Sequence, residues 1–278
     1  MICSLRSSFY RFFASGFFIR TVILSLLLAL FLYAETCTTD LAILFFRRPR
    51  FLDNRLLIAA LPKLLYAIPF WAGVFCLRFS GDDLSSRAVN NKIATGLPRK
   101  WIYLSDLTVT AFATVITVAV NVGVLYLLGR FLPFRSSVKL SKDIIILSLR
   151  MTVIFIAFAA VFMLLQYFFT TGLFGLIISL MIIPAIMVAE MNIDTSLSEP
   201  YRIEYIDEDT GEAMWEINDG YIGGTPRKIL TALHESIPFR EGFVLEKKIS
   251  TTDTAAAVIV FAASTAAGLV TISRKEFS

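Results

Sequence analysis

The most informative shortage in this sequence is that of charged residues. Asp, Glu, Lys and Arg together make up 17% of the 278 residues, whereas hydrophobic residues make up 56%. Because an ordinary soluble domain has about 25% charged residues, this composition excludes a typical soluble globular protein. The long apolar segments predict a membrane protein.

Histidine and cysteine are also scarce, which limits the chemistry that the chain can perform. His234 is the only histidine and lacks the second histidine of a zinc-protease motif, so we expect a solvated side chain on a surface helix. Cys3, Cys37 and Cys76 have no metal-binding or redox spacing. No G-x-S-x-G, P-loop or dinucleotide-binding motif is present. We therefore expect no catalytic residue, cofactor or metal in this chain, and no nucleic-acid partner.

Apolar segments of the length needed for a membrane span recur along the chain. A helix needs about 20 apolar residues to cross the hydrocarbon core, and none of the segments alternates as the strands of a membrane barrel do. The first segment is longer than a signal-peptide core and lacks a clear cleavage site, so we favour a span over a cleaved leader. The sequence predicts a single all-α, polytopic membrane domain over residues 1–278 with six transmembrane helices, at about 17–34, 56–77, 103–129, 144–168, 171–189 and 254–273.

The segment 190–253 differs from the rest because it holds most of the acidic residues. Within it, YRIEYIDEDTGEAMWEI has the alternation of two strands around a turn, and GGTPRKILTALHESIPF predicts a helix with Thr225 as N-cap and Pro226 at its first position. We predict a small α+β insert on the extracytoplasmic side. Lys and Arg fall in nearly equal numbers on the two sides, so their distribution does not decide the topology.

Polar groups within the predicted spans are costly and often functional, and four of them are candidates for a role in the pathway or in helix packing. Lys63 and Arg150 either extend to the interface or face a bundle interior or polar pathway. Asn121 and Gln166 are candidates for hydrogen bonds between helices rather than for ligand contacts.

The polar residues between the second and third predicted spans form the most distinctive segment. Asp82, Asp83 and Ser85 are expected to cap a short helix that runs to Thr95. Gly96 then ends this helix, and Pro98 begins the helix of the third span. Basic and aromatic residues at the membrane boundary follow, namely Arg99, Lys100, Trp101 and Tyr103. The small and amide residues of the short helix suit docking against a protein, namely Ser86, Ala88, Asn90, Asn91 and Thr95.

This segment resembles the one that joins the second and third spans in permease subunits of type 2 ATP-binding-cassette (ABC) transporters. The matching positions are Gly81, Arg87, Asn91, Lys92, Gly96, Arg99, Ile102, Tyr103, Leu104 and Ser105. The stretch from Gly220 to Phe239 and the SRKEF ending are also similar to bacterial members of that group. Many of these relatives carry a glutamate just before the coupling helix, where this chain has Asp82 and Asp83.

The resemblance implies a transport subunit, of an exporter, in the cell membrane with both termini cytoplasmic. Two permease subunits, identical or different, would form the pathway, and separate cytoplasmic ATPases would bind ATP and Mg²⁺ and contact the coupling helix. The implied coupling residues are Asp83, Arg87, Asn91, Lys92, Gly96, Pro98 and Arg99. Two alternatives remain: a membrane receptor or sensor with a ligand-binding insert, and a membrane assembly protein.

Overall fold

The computed structural model of the chain is mostly helical. It describes residues 2–14, 16–38, 61, 64–86, 88–131, 141–169, 172–206, 213–236 and 251–274.

The chain begins with helices α1 (Ile2–Ala14) and α2 (Phe17–Thr38). They are separated at Gly16, whose φ of 74° is a left-handed value that residues with a Cβ rarely adopt. This break lies where the first predicted span begins. Along α2, the apolar side chains of Ile23, Leu27 and Phe31 are exposed at helical spacing, which is the surface expected for a helix in contact with lipid.

The second predicted span continues into the polar residues without a break. Helix α3 (Leu64–Cys76) leads directly into a π-helical turn (Leu77–Gly81) and then into α4 (Asp82–Ser85). Gly81 has helical dihedral angles, and no side chain caps α4. The predicted capping by Asp82, Asp83 and Ser85 is therefore wrong, because the helix that precedes these residues already occupies the capping position.

The remaining long helices contain the other predicted spans. They are α6 (Arg99–Phe131), α7 (Lys142–Phe169), α8 (Gly172–Ser198) and α10 (Thr251–Arg274). A short helix, α5 (Ala88–Ala94), precedes α6. Helix α8 extends well beyond the predicted span end at Ala189, so the first residues of the predicted insert are helical.

Four helices among the described residues are long and apolar enough to cross a membrane. They are Phe17–Ala34, Arg99–Leu128, Lys142–Phe169 and Thr251–Arg274. The chain is therefore a mostly helical membrane protein. The six-span count stays a prediction, since residues 56–60 and 62–63 of the second predicted span lie outside the described part of the chain.

Between α8 and α10 lie two strands and a helix, as the sequence predicts. Strands β1 (Arg202–Ile206) and β2 (Ala213–Ile217) pair antiparallel. The turn that joins them, at residues 207–212, lies outside the described residues. Helix α9 (Gly224–Ser236) begins one residue before the predicted N-cap.

Contacts between helix ends define one end of the bundle, which we call the polar end. The hydroxyl of Tyr167, near the end of α7, donates a 2.8 Å hydrogen bond to Asp106, near the start of α6. The ring of Tyr103 lies 5.2 Å from that of Tyr167 and against the backbone of Gly268 in α10. The start of α6 and the ends of α7 and α10 therefore meet here.

The opposite end of the bundle, the insert end, contains the strands and α9. Helix α8 begins beside the end of α7 and runs away from the polar end. At its far end, the carbonyl of Leu197 accepts a 2.8 Å hydrogen bond from Arg227 of α9. The polar segment and the two-stranded insert therefore lie at opposite ends of the bundle.

The contact between Tyr103 and Gly268 gives a prediction about packing. A Cβ at Gly268 would overlap the Tyr103 side chain, which is fully buried and held against Tyr167. Overpacking of this kind costs about 1–3 kcal/mol, so we expect Gly268→Ala to lower the melting temperature of the detergent-solubilised protein.

The matched control is Gly123→Ala in α6, where a Cβ meets nothing within 4 Å. This change is expected to preserve or raise stability, since Ala favours a helix over Gly by about 1 kcal/mol. Equal melting temperatures for the two variants would contradict the packing argument.

Candidate functional site

The polar segment, residues 82–100, connects α3 to α6 at the polar end. Its helix α5 ends in a Schellman motif, in which the N–H of Gly96 donates to the carbonyl of Ile93 at 2.9 Å and the N–H of Leu97 donates to that of Lys92 at 3.2 Å. Gly96 has a φ of 87°, so this termination depends on glycine. Helix α6 begins at Arg99, directly after Pro98. The predicted break and helix restart are both confirmed.

One side of α5 is buried and the other is exposed. Val89 is 1% exposed and fixes the helix against the bundle. Asn91 is exposed on the helix, and Thr95, Gly96 and Pro98 are exposed in the connection that follows. This side of the segment is uncovered within the described chain and presents the polar side chains of Asn91 and Thr95.

Four charged side chains meet beneath this surface, and we call Arg11, Asp83, Lys92 and Asp106 the charge cluster. Asp83 of α4 forms ion pairs with both Arg11 of α1 and Lys92 of α5, and the Lys92 Nζ lies 2.5 Å from Asp83 Oδ2. The Arg11 guanidinium also lies 3.9 Å from Asp106 Oδ1. The cluster thus joins α1, α4, α5 and α6.

Asp106 is the most deeply buried member of the charge cluster, with a side chain that is 0% exposed. Ser8 of α1 donates a 3.0 Å hydrogen bond to Oδ1, and Tyr167 of α7 donates one of 2.8 Å to Oδ2. A buried carboxylate needs such donors, because removal from water costs several kcal/mol unless it is compensated. Asp106 therefore fixes the positions of α1 and α7 relative to α6.

Helix α1 makes further contacts at the polar end. The hydroxyls of Ser4 and Ser105 lie 2.7 Å apart, and the Arg11 guanidinium stacks 4.0 Å from the centroid of the Phe79 ring. The buried side of α1 thus combines polar and apolar groups, with Ser4 and Ser8 each 3% exposed and Phe12 0% exposed, whereas Tyr10 and Phe13 are 74% and 50% exposed.

The formal charges of the cluster balance, with two carboxylates against a guanidinium and an ammonium. Burial lowers the pKa of Lys92 from its ordinary value, the negative charge of Asp106 opposes this shift, and the positive charge of Arg11 adds to it. Removal of a single member would leave an unbalanced charge in a mostly buried site.

Two of the predicted coupling residues, Asp83 and Lys92, are brought together in this cluster. Lys92 has a side chain that is 22% exposed, and that of Asp83 is 10% exposed. Their charged groups contact each other, and the Asp83 carboxylate also contacts Arg11 of α1. Both side chains therefore lie on the inner side of the polar segment.

The other predicted coupling residues lie toward the surface. Asn91, Gly96 and Pro98 are exposed, and Arg99 is partly buried at the first position of α6. Arg87 lies outside the described residues. A role for these residues in contacts with an ATPase stays a prediction.

Of the polar residues predicted within the spans, Asn121 and Gln166 are described and make no contact with the charge cluster. Asn121 is 0% exposed, and its amide donates at 2.8 Å to the carbonyl of Thr117 in the same helix, so this bond is not the predicted interhelical one. Gln166 is 2% exposed, and its Nε2 contacts no acceptor in the described part of the chain. Arg150 is partly buried in α7, and Lys63 lies outside the described residues.

The prediction of a solvated His234 is wrong. Its side chain is 12% exposed, and its Nδ1 lies 2.9 Å from Glu190 Oε1, with Asp194 Oδ1 4.0 Å from Nε2. The extension of α8 beyond the predicted span end brings these carboxylates to α9. Among the described residues, no group of three His, Cys, Asp or Glu side chains is placed to hold a metal ion.

Sequence reasoning missed four residues that build the site: Ser8, Arg11, Asp106 and Tyr167. Asp106 could have been found, because it is a carboxylate inside a predicted span and such groups mark functional sites. Arg11, Ser8 and Tyr167 carry no such signal. Their roles depend on contacts with residues that are distant in the sequence.

The charge balance predicts that Asp83→Asn and Lys92→Met lower the stability of the protein by different amounts. Asp83→Asn leaves Arg11 and Lys92 without their shared carboxylate, whereas Lys92→Met leaves the pair of Arg11 and Asp83 intact. We expect Asp83→Asn to lower the melting temperature more than Lys92→Met, and the double variant to recover part of the loss, with a coupling energy of about 0.5–3 kcal/mol.

The control is Arg78→Gln, which removes an ion pair with Asp82 whose partners are 60% and 56% exposed and 3.7 Å apart. Exposed pairs of this kind contribute about 0–1 kcal/mol. Additive effects of Asp83→Asn and Lys92→Met would show that the cluster does not act as a unit.

Comparison with protein-family models, with curated proteins and with solved structures finds no match to this chain.

Proposed function

We propose that this chain is the permease subunit of an ATP-driven type 2 ABC transporter, an exporter of the cell membrane. It forms the substrate pathway as a dimer with a second permease subunit and is coupled to separate cytoplasmic ATPases. In this proposal the chain spans the membrane six times, with both termini cytoplasmic and residues 199–250 on the outer side. The position of the insert at the end of the bundle opposite the polar segment supports this arrangement.

The observation that carries the proposal is the two-sided construction of the polar segment. Its outer surface is exposed and carries the polar side chains of Asn91 and Thr95, which suits a protein partner. Its inner side is joined to the bundle by the ion pair of Asp83 with Arg11 of α1. The Arg11 guanidinium also lies 3.9 Å from Asp106 of α6, which in turn accepts a hydrogen bond from Tyr167 of α7. A segment that offers a docking surface and is ionically joined to the bundle is suited to transmit a displacement.

The connection to α6 supports the same function. The segment turns at Gly96 and Pro98 and becomes a helix of 33 residues, so a movement of α5 acts directly on one end of a spanning helix. ATP binding would bring the ATPases together, move the polar segment and reorient α6. The chain itself has no G-x-x-x-x-G-K-[ST] sequence, so in this proposal nucleotide and Mg²⁺ are bound by the partner.

A specific observation favours a second candidate, a receptor or sensor. The strands between α8 and α10 expose large apolar side chains, with Trp215 at 63%, Ile217 at 61% and Ile203 at 45%. Exposed apolar groups of this kind mark contact surfaces. In that case an extracytoplasmic ligand would bind the strands without any ATPase.

Co-purification tests the proposed partner. We expect the chain, when purified from its native membranes under mild detergent conditions, to retain a polypeptide with a Walker-type P-loop. Asn91→Glu places a charge on the exposed side of α5 and is expected to reduce the recovered ATPase about tenfold, which corresponds to about 1.4 kcal/mol.

The matched control is Asn192→Glu, which makes the same change at an exposed position of α8 near the insert end. Recovery of the ATPase should then equal that of the unaltered chain. Absence of a P-loop protein from every preparation would refute the transporter proposal and favour the receptor.

The sidedness of the two ends provides an independent prediction. In a variant that lacks Cys3, Cys37 and Cys76, single cysteines at Asn91 and Asp219 should react with a membrane-impermeant maleimide from opposite sides of the membrane. Asn91→Cys should react only from the cytoplasmic side, and Asp219→Cys only from the outside. Labelling of both positions from one side of sealed vesicles would overturn the proposed topology.

A further inference from the structure

Helix α1 is joined by ion pairs and hydrogen bonds to the polar segment and to the start of α6. Its residue Arg11 pairs with Asp83 of α4, and Asp83 in turn pairs with Lys92 of α5 at 2.5 Å. Ser4 and Ser8 bind Ser105 and Asp106 at the start of α6, at 2.7 and 3.0 Å. Helix α6, which follows Gly96 and Pro98, therefore contacts α1 directly, and α5, which precedes them, is joined to α1 through Asp83.

The link between α1 and the polar segment resists separation. Withdrawal of α1 would leave the carboxylates of Asp83 and Asp106 facing a single ammonium in a mostly buried site, which is the costly outcome of breaking a buried ion pair. The Arg11 guanidinium would also lose its contact with the Phe79 ring. A displacement of α4 and α5 that carries α1 along keeps these contacts. It therefore costs less free energy than a displacement that breaks the charge cluster.

The joint between α1 and α2 is short and packed by aromatic rings. Only Ser15 and Gly16 separate the two helices. Rings cross this joint, with Phe12 and Phe13 of α1 at centroid distances of 5.8 and 5.2 Å from Phe18 of α2. Movement of α1 is therefore transmitted to α2.

We propose that the polar segment moves two spanning helices, α6 through the turn at Gly96 and Pro98, and α2 through the charge cluster and α1. This inference rests on the proposed function and extends it, because the ATPases then act on the first and third spans together. Helix α1 serves as the connecting element, and Arg11 is the residue that positions it.

Nucleotide-dependent labelling of two exposed lipid-facing positions tests this second connection. Single cysteines at Leu30 in α2 and Leu127 in α6, which are 48% and 49% exposed, are introduced into the cysteine-free chain in complex with its ATPases. The rate of maleimide labelling is measured with and without Mg²⁺ and a non-hydrolysable ATP analogue. Both positions should change their labelling rate on addition of the analogue.

Arg11→Met removes the link between α1 and Asp83 and leaves the pair of Asp83 and Lys92. The response at Leu30 should be lost, and that at Leu127 should persist. Arg6→Met is the matched control, because Arg6 is exposed on the same helix; both responses should remain. Should Arg11→Met fail to fold, insertion of two glycines between Ser15 and Gly16 loosens the joint without any change in the cluster and should also abolish the response at Leu30 alone.

The outcomes separate the inference from the proposed function. A response at Leu127 but none at Leu30 in the unaltered complex would overturn the inference and leave the transporter intact. Full responses at Leu30 in both Arg11→Met and the glycine insertion would do the same. If no ATPase co-purifies with the chain, or if neither position responds to nucleotide, the proposed function itself is refuted.

Discussion

The structure depends on the neutralisation of two carboxylates, Asp83 and Asp106, at the polar end of the bundle. Burial of a carboxylate in a mostly apolar environment is costly unless hydrogen-bond donors or cations lie close by. The chain supplies those donors from different helices, since Arg11 and Ser8 come from α1, Lys92 comes from α5, and Tyr167 comes from α7. The need to satisfy two charges therefore fixes elements that hydrophobic packing alone would leave free to slide.

Three buried hydroxyls along α6 make no such demand. The hydroxyls of Thr110, Thr114 and Thr117, which lie on the buried side of α6, each donate at 2.9 Å to the carbonyl four residues earlier. These groups are satisfied within one helix and place no condition on its neighbours. The bundle thus combines a self-contained polar seam along α6 with a polar end whose groups are satisfied only in the assembled fold.

Much of the fold could be predicted from the sequence, because length, hydropathy and helix-termination signals are local. The apolar runs marked the long helices, and Gly96 and Pro98 marked the break before α6. The predicted cap at Asp82 failed because the preceding helix does not end, and a π-helical turn has no simple sequence signal. The prediction of a solvated His234 failed because α8 is longer than its apolar part. Arg11 was missed because its partners are far away in sequence, although the carboxylate of Asp106 within a span was a visible signal.

The position of α1 has a consequence for biosynthesis. The hydroxyls that pair at the polar end belong to Ser4 and Ser105, which are 101 residues apart. Helix α1 therefore leaves the ribosome before α6 and lacks these partners until the start of α6 has been made. Synthesis of α1 and completion of the polar end are separate events, and α1 reaches its final contacts only after α6 has followed it out of the ribosome.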